Sequence, residues 1–117
     1  MTGTGLAAKF ENRRVLIIGT DMAVGKMTAG LEINRLAIER GIKSAFVATG
    51  QIGITITGGG VPLDCVRVDF ASGSIEREVV AASSAGADLV IIEGQGSLAH
   101  PSSTANLPLL RGSCPTH

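Results

Sequence analysis

The chain has 117 residues, of which 44% are hydrophobic, and its ten basic and ten acidic side chains give a formal net charge of zero. This length allows one domain with a hydrophobic core, and the balanced charge disfavours duplex DNA and anionic membranes as partners. With three Phe and neither Trp nor Tyr, the chain lacks the aromatic surface on which single-stranded nucleic acid stacks. Cys65 and Cys114 lie far apart without C-x-x-C spacing, which predicts reduced thiols in a cytoplasmic protein.

The first half of the chain predicts a strand, a helix and a second strand. The branched apolar run at residues 15–18 ends at Gly19, which is typical of a strand buried on both faces. Residues 26–40 predict an amphipathic helix that stops at Gly41, and residues 44–49 predict the next strand. The helix carries apolar residues at helical spacing: Ala29, Ile33, Leu36 and Ala37.

The second half predicts a less regular run of elements. Alternating isoleucines between residues 50 and 60 indicate a short extended piece, and residues 66–68 indicate a third strand. Ser74 is a candidate N-cap for a helix that ends at Gly86, and residues 89–92 predict a fourth, buried strand. The alternating residues are Ile52, Ile54 and Ile56.

The order of these elements predicts an α/β fold with a mostly parallel sheet flanked by helices. In such sheets, ligands bind beyond the carboxyl ends of the strands. The predicted strands are followed there by polar or glycine-rich residues, at positions 19–21, 49–51, 69–70 and 93–96. The sequence therefore predicts that its candidate site lies at one edge of the sheet.

The strongest motif is a glycine-bearing loop between the first predicted strand and the first predicted helix. Its residues are Gly19, Thr20, Asp21, Met22, Ala23, Val24, Gly25, Lys26, Met27 and Thr28. Glycines let consecutive backbone N–H groups face an anion, the helix N-terminus adds partial positive charge, and Lys26 adds a full charge. Five residues rather than four separate Gly19 from Gly25, and Met27 stands where a magnesium-binding Ser or Thr usually follows the lysine. The alternative is a simple glycine turn with an exposed lysine.

A second group of candidate residues consists of oxygen ligands for a metal ion. Glu93 ends a buried strand and is placed either to bind Mg²⁺ or to lie in solvent. Asp69 follows an apolar run and is a second candidate, although Asp commonly ends strands for local reasons. Asp21 is placed either to bind metal or to accept hydrogen bonds from loop N–H groups. Thr28, one position after the usual hydroxyl, completes the candidate metal set.

His100 is a candidate catalytic base. It lies four residues beyond Gly96, in the segment that follows the last predicted strand. An imidazole can take a proton from an amine or from water near neutral pH. The alternative is a solvent-facing loop residue that precedes Pro101.

Four separated motifs resemble the P-loop domain of the D-glutamate N-acetyltransferase (DgcN-type) family and, more distantly, dethiobiotin synthetase and related P-loop ATPases. The motifs occupy residues 19–28, 48–53, 68–70 and 93–101, and the resemblance extends from residue 14 to residue 110. It implies a three-layer P-loop NTPase-like fold and makes Met27 an ordinary residue at its position. Members of that family are longer, so we expect residues 1–117 to form a single domain that is a fragment or a truncated form.

The resemblance implies an N-acyltransferase that moves an acetyl group from acetyl-CoA to a small-molecule acceptor, an acidic amino acid such as D-glutamate. The loop and Lys26 would then hold the phosphates of CoA, and His100 or Glu93 would be the catalytic base. An ATP-dependent ligase or kinase, with Mg²⁺ shared by the candidate metal ligands, is the second hypothesis. The third is a non-catalytic nucleotide-binding module whose site is completed by a second copy or a partner domain.

Overall fold

Three parallel strands form the centre of the fold in the computed structural model, which describes residues 2–117. The strands are β1 (Arg13–Ile17), β2 (Ser44–Val47) and β3 (Leu89–Glu93). β3 lies in the middle, and its Ile91 is opposite Val15 of β1 on one side and Phe46 of β2 on the other. β3 carries a continuous run of branched apolar residues, which is typical of a parallel strand whose two faces are both covered by helices.

The described residues also form four α-helices and two short 3-10 turns. The helices are α1 (Lys26–Glu39), α2 (Gln51–Thr57), α3 (Val68–Ser84) and α4 (Asn106–Ser113). The turns span Leu6–Lys9 and Leu63–Cys65. None of the helices in this part of the chain is long and apolar enough to cross a membrane.

Helices cover both faces of the sheet. Successive strand residues point to opposite sides, so each face carries apolar side chains that a helix can bury. On one face, Ile92 of β3 packs in a buried cluster with Ile75 of α3 and Leu109 of α4. On the other face, α1 crosses so closely that a Cβ on Gly30 would lie 2.8 Å from the ring of Phe46. The result is the predicted three-layer α/β arrangement.

The strands predicted at residues 15–18, 44–49 and 89–92 and the helix predicted at residues 26–40 are confirmed, with ends shifted by one or two residues. Gly41 follows α1 with a left-handed φ of 79°, as predicted for a helix stop. Ala37 is buried, whereas Ile33 and Leu36 on the same predicted stripe are 41% and 37% exposed. α1 therefore packs on the sheet mainly through its small residues.

The extended piece predicted from Ile52, Ile54 and Ile56 is wrong, since these residues lie in α2. Gly50 is extended and precedes the helix, and Gly58 ends the helix with a left-handed φ of 80°. Ile52 and Ile56 are exposed one turn apart, while Ile54 is half-buried. Alternation over so few residues fits a short helix as well as it fits a strand.

The third strand predicted at residues 66–68 is also wrong, because α3 already begins at Val68. Asp69 consequently lies exposed in the first turn of α3 and does not end a strand. Ser74, the predicted N-cap, lies inside α3. The early start is explained by residues buried at helical spacing from the first turn onward: Ala71, Ile75 and Val79.

The C-terminal residues cover the outer edge of β1. His117 donates its backbone N–H to the Arg14 carbonyl oxygen at 3.1 Å and accepts the Leu16 N–H at 3.0 Å, which is the pattern of a parallel ladder. The buried Arg14 side chain donates to the carbonyl oxygens of Cys114 and Phe10. Its guanidinium group thereby joins the N-terminal segment to the C-terminal one. Both cysteines of the chain are free thiols, as predicted.

Candidate functional site

Backbone N–H groups gather where the loop after β1 meets α1. Ala23 and Gly25 both adopt left-handed conformations, with φ of 54° and 97°, which turns the loop back towards the sheet. α1 begins at Lys26 without a hydrogen bond from a capping side chain. The first N–H groups of a helix have no acceptor within the helix, so these groups are available to an anion.

Lys26 is folded across this loop. Its Nζ donates to the carbonyl oxygen of Asp21 at 3.0 Å. A Cβ on Gly19 would lie 3.0 Å from the same Nζ and 2.8 Å from the side chain of Val24, so a glycine is needed there to make room. The ammonium group is thus held beside the uncapped helix N-terminus, where a phosphate oxygen can replace the carbonyl oxygen.

The segment between β3 and α4 is tied to the loop by hydrogen bonds. Ser97, only 1% exposed, donates its hydroxyl to the Thr20 carbonyl oxygen at 2.7 Å. The Leu98 N–H donates to the Gly19 carbonyl oxygen at 3.0 Å, and the side-chain amide of Asn106 donates to the Ser97 carbonyl oxygen at 2.7 Å. Sequence reasoning missed Ser97, because a serine in a glycine-rich segment carries no local signal of burial.

These two segments enclose a cleft of about 380 Å³ at the carboxyl edge of the sheet. It is lined by Met22, Ala23, Val24, Gly25, Lys26, Met27, Thr28, Glu93, Gly94, Gln95 and Gly96. Eight of the predicted site residues are therefore brought together, seven from the loop and one from the end of β3. Gly19, Thr20 and Asp21 form the start of the loop behind this lining, and neither Asp69 nor His100 contributes to it within the described residues.

His100 is exposed beyond the lining of the cleft. Its backbone N–H donates to the Ser97 hydroxyl at 3.0 Å, and its Nδ1 accepts the Ser102 N–H at 3.2 Å. Because Nδ1 accepts a hydrogen bond, the proton of the neutral ring is assigned to Nε2. Nε2 is therefore a donor and has no lone pair to take up a proton. As a base, His100 would therefore act from Nδ1 after releasing the Ser102 N–H.

The three predicted metal carboxylates do not converge. Asp21 accepts the Met22 N–H on its Oδ1 at 2.7 Å, so it stabilises the loop. Asp69 lies on α3, and Glu93 has its Oε2 bound to backbone N–H groups. In the part of the chain that the structure describes, no group of three or more His, Cys, Asp or Glu side chains could hold a metal ion. Thr28 and Glu93 both line the cleft, and their binding of Mg²⁺ stays a prediction.

A larger groove, of about 730 Å³, lies at the other end of the sheet. Its apolar side chains come from β1, β3 and the turn before β2: Val15, Leu89 and Ile42. Because ligands of parallel α/β sheets bind beyond the carboxyl ends of the strands, the smaller cleft is the candidate site.

A parallel sheet whose first strand passes through a glycine-bearing loop into a helix, with a lysine at the first helical position, defines a P-loop domain. The chain belongs to the family described as "Domain of unknown function (DUF1611_C) P-loop domain", whose model matches residues 1–117. A crystal structure of a DUF1611 family protein from Anabaena variabilis ATCC 29413 superposes with a TM-score of 0.95 and 52% identity. The match covers 99% of this chain and 34% of that one.

Two curated relatives carry the name D-glutamate N-acetyltransferase, which confirms the resemblance found in the motifs. The relative from Pseudoalteromonas sp is 46% identical over 113 residues, which are 96% of this chain and 33% of that protein. The relative from Tritonibacter scottomollicae is 49% identical over 108 residues, which are 92% of this chain and 32% of that protein. This chain thus spans about a third of the length of the curated relatives that it matches.

Proposed function

We propose that this P-loop domain binds the phosphate groups of acetyl-CoA in an N-acetyltransferase that acts on an acidic amino acid such as D-glutamate. The observation that carries the proposal is the cleft in which the uncapped N-terminus of α1 meets Lys26. The name of the two relatives, D-glutamate N-acetyltransferase, suggests the acetyl group and the acceptor.

Phosphate binding follows from charge and backbone geometry. N–H groups at a helix N-terminus attract anions, and the Lys26 ammonium adds a full positive charge beside them. The left-handed conformations of Ala23 and Gly25 are of the kind that form backbone nests for anions. Met27 replaces the hydroxyl that usually binds Mg²⁺ after the lysine, which favours a ligand whose phosphates bind without metal.

In the proposed reaction, the amino group of the acceptor attacks the thioester carbonyl carbon of acetyl-CoA. The new C–N bond forms, the C–S bond breaks, the amine loses one proton, and CoA leaves as a thiolate that takes one up. A base is needed for the amine proton, and the predicted bases are Glu93, in the lining of the cleft, and His100, beyond it. The acceptor therefore has to bind on the side of the cleft formed by the segment after β3.

An ATP-dependent ligase or kinase is the second candidate, and it is favoured by the presence of Thr28 and Glu93 in the same cleft as Lys26. Mg²⁺ at phosphoryl-transfer sites is usually held by one or two protein oxygens together with nucleotide phosphates and water. Thr28 and Glu93 would supply these oxygens, and the ion would neutralise charge on the transferring phosphoryl group. Lys26 and the loop N–H groups would bind the β and γ phosphates.

Calorimetric melting of the chain separates these functions. The protein is melted alone, with acetyl-CoA, with ATP and Mg²⁺, and with ATP and a chelator. Calorimetry is suitable because the chain has no Trp to report unfolding by fluorescence. A ligand at about a hundredfold above its Kd adds about 2.7 kcal/mol of stability, which raises the Tm of a domain of this size by about 10 °C.

Stabilisation by acetyl-CoA with or without metal would support the proposed acetyltransferase and justify an assay with D-glutamate. A shift only with ATP and Mg²⁺ would favour the ligase or kinase. A cooperative transition that neither ligand moves would contradict both and favour a nucleotide-binding module that a partner domain or a second copy completes.

A further inference from the structure

The Glu93 carboxylate is bound to the backbone of a neighbouring segment. Its Oε2 accepts the Thr49 N–H at 2.9 Å and the Gly50 N–H at 3.0 Å. The Thr49 hydroxyl donates in turn to the Glu93 carbonyl oxygen at 2.7 Å. Glu93 is 5% exposed and Thr49 is fully buried, so water does not compete freely for these bonds. The three bonds fix the end of β3 to the turn between β2 and α2.

Two glycines let α2 approach this carboxylate closely. A Cβ on Gly53 would lie 2.6 Å from Oε2 of Glu93, and a Cβ on Gly50 would lie 2.5 Å from Nε2 of Gln95. These distances are shorter than van der Waals contact, so a side chain at either position would displace α2 or the group that it touches. Glu93 and Gln95 therefore set the position of the first turn of α2.

Glu93 and Gln95 belong at the same time to the lining of the phosphate-binding cleft. Glu93 carries its negative charge next to the N-terminus of α2, where the helix dipole favours an anion. The two N–H groups that it accepts belong to Thr49 and Gly50, which immediately precede the first residue of α2. The side chains of Glu93 and Gln95 thus lie between the cleft and the start of α2.

We infer that Glu93 is a positioning residue, which fixes the shape of the phosphate-binding cleft by holding residues 49–53 against the end of β3. The inference rests on the proposed function, because the binding of phosphate in the cleft is part of that function. An acceptor of two N–H bonds needs an oxygen, which an amide also provides. A metal ligand needs the charge of the carboxylate, and a base is needed for turnover but not for binding of acetyl-CoA.

Glu93→Gln and Glu93→Ala distinguish these roles when the affinity for acetyl-CoA is measured by isothermal titration on the full chain. We expect Glu93→Gln to bind within about threefold of the wild type, because the amide oxygen still accepts both N–H groups, though more weakly than a carboxylate. Glu93→Ala leaves two N–H groups without their acceptor, and we expect the affinity to fall about 5- to 150-fold, the usual range for coupling between sites.

Gly53→Ala disturbs the same carboxylate from the opposite side. Its Cβ displaces Oε2 of Glu93, so the affinity should fall as it does in Glu93→Ala, although Gly53 does not line the cleft. Gly59→Ala is the matched control, because a Cβ there meets nothing within 4 Å. Each titration is run below the Tm of its variant, so that a loss of stability alone does not change the measured affinity.

The inference is supported if the wild type binds acetyl-CoA, Glu93→Gln retains this affinity, and Glu93→Ala and Gly53→Ala lose it. Equal loss in Glu93→Gln and Glu93→Ala would mean that the charge is required, and would overturn it. Wild-type affinity in both Glu93 variants would fit a base and overturn it equally. A wild type that binds neither acetyl-CoA nor ATP would refute the proposed function, and this inference with it.

Discussion

Lys26→Ala removes the full positive charge from the cleft that we propose binds phosphate. The Nζ of Lys26 lies 3.0 Å from the carbonyl oxygen of Asp21, and a phosphate oxygen that replaces this contact comes equally close. Because the phosphate charge is spread over several oxygens, the centres of the two charges lie about 4 Å apart, and at an effective dielectric constant of about 40 their attraction is about 2 kcal/mol. We therefore expect the Kd for acetyl-CoA, or for ATP, to rise about thirtyfold.

Isothermal titration measures this change, and calorimetric melting shows whether the variant is folded. Lys26 makes its hydrogen bond at the protein surface, so its loss should change the free energy of unfolding by less than about 0.5 kcal/mol. Lys43→Ala is the matched control, because Lys43 is an exposed lysine immediately before β2, at the opposite end of the sheet. It removes the same charge without touching the cleft. The difference between the two variants should shrink as salt is raised, because salt screens the attraction.

Two results would refute this reasoning. If Lys26→Ala binds within about threefold of the wild type, the charge contributes less than about 0.7 kcal/mol and the cleft is not a phosphate site. If Lys43→Ala weakens binding as much as Lys26→Ala does, the effect comes from net charge and not from the position of the ammonium group.

Two further predictions concern stability. Burial raises the pKa of the Glu76 carboxyl, but hydrogen bonds, chiefly from Thr4, outweigh it and leave this pKa below its ordinary value. Such a group stabilises the fold above its unfolded pKa of about 4.3, and this contribution is lost as the pH falls through the folded pKa. Glu76→Gln should therefore cost about 1.5 to 3 kcal/mol at pH 7 and flatten the fall of Tm in acid, whereas parallel pH profiles would contradict this. Gly112→Ala should lower the free energy of unfolding in urea by about 1 to 3 kcal/mol, because its Cβ would overlap the Ser72 carbonyl oxygen. Gly59→Ala, in open space, should leave it unchanged, and equal urea midpoints for the two variants would count against the packing argument.

The strands and α1 could be predicted from the sequence because burial there follows a local pattern. Helices cover β3 on both faces of the sheet, so its residues are apolar without alternation, and the run is visible in the sequence itself. The loop at residues 19–28 could also be predicted from the sequence. The groups that we propose bind an anion there are backbone N–H groups and one lysine, all contiguous in the chain.

The segment with Ile52, Ile54 and Ile56 could not be predicted in the same way. The helix is preceded by Thr49 and Gly50, whose backbone N–H groups donate hydrogen bonds to Glu93, more than forty residues away in sequence. No local pattern contains such a contact, and a short glycine-rich segment has little intrinsic preference to set against it. Asp69 was misplaced for a related reason, because the buried face that starts α3 early depends on packing against α4.

The candidate site depends both on residues that are contiguous in the sequence and on contacts between distant segments. The loop N–H groups and Lys26, which we propose select the ligand, are encoded within ten consecutive residues. The shape of the cleft depends instead on long-range bonds, from Ser97 to Thr20 across 77 positions and from Glu93 to Thr49 across 44. Substitution of Lys26 should therefore change affinity through charge, with little effect on stability. Substitutions at Ser97 or Glu93 should change affinity through geometry, so a variant that preserves the hydrogen bond should preserve binding.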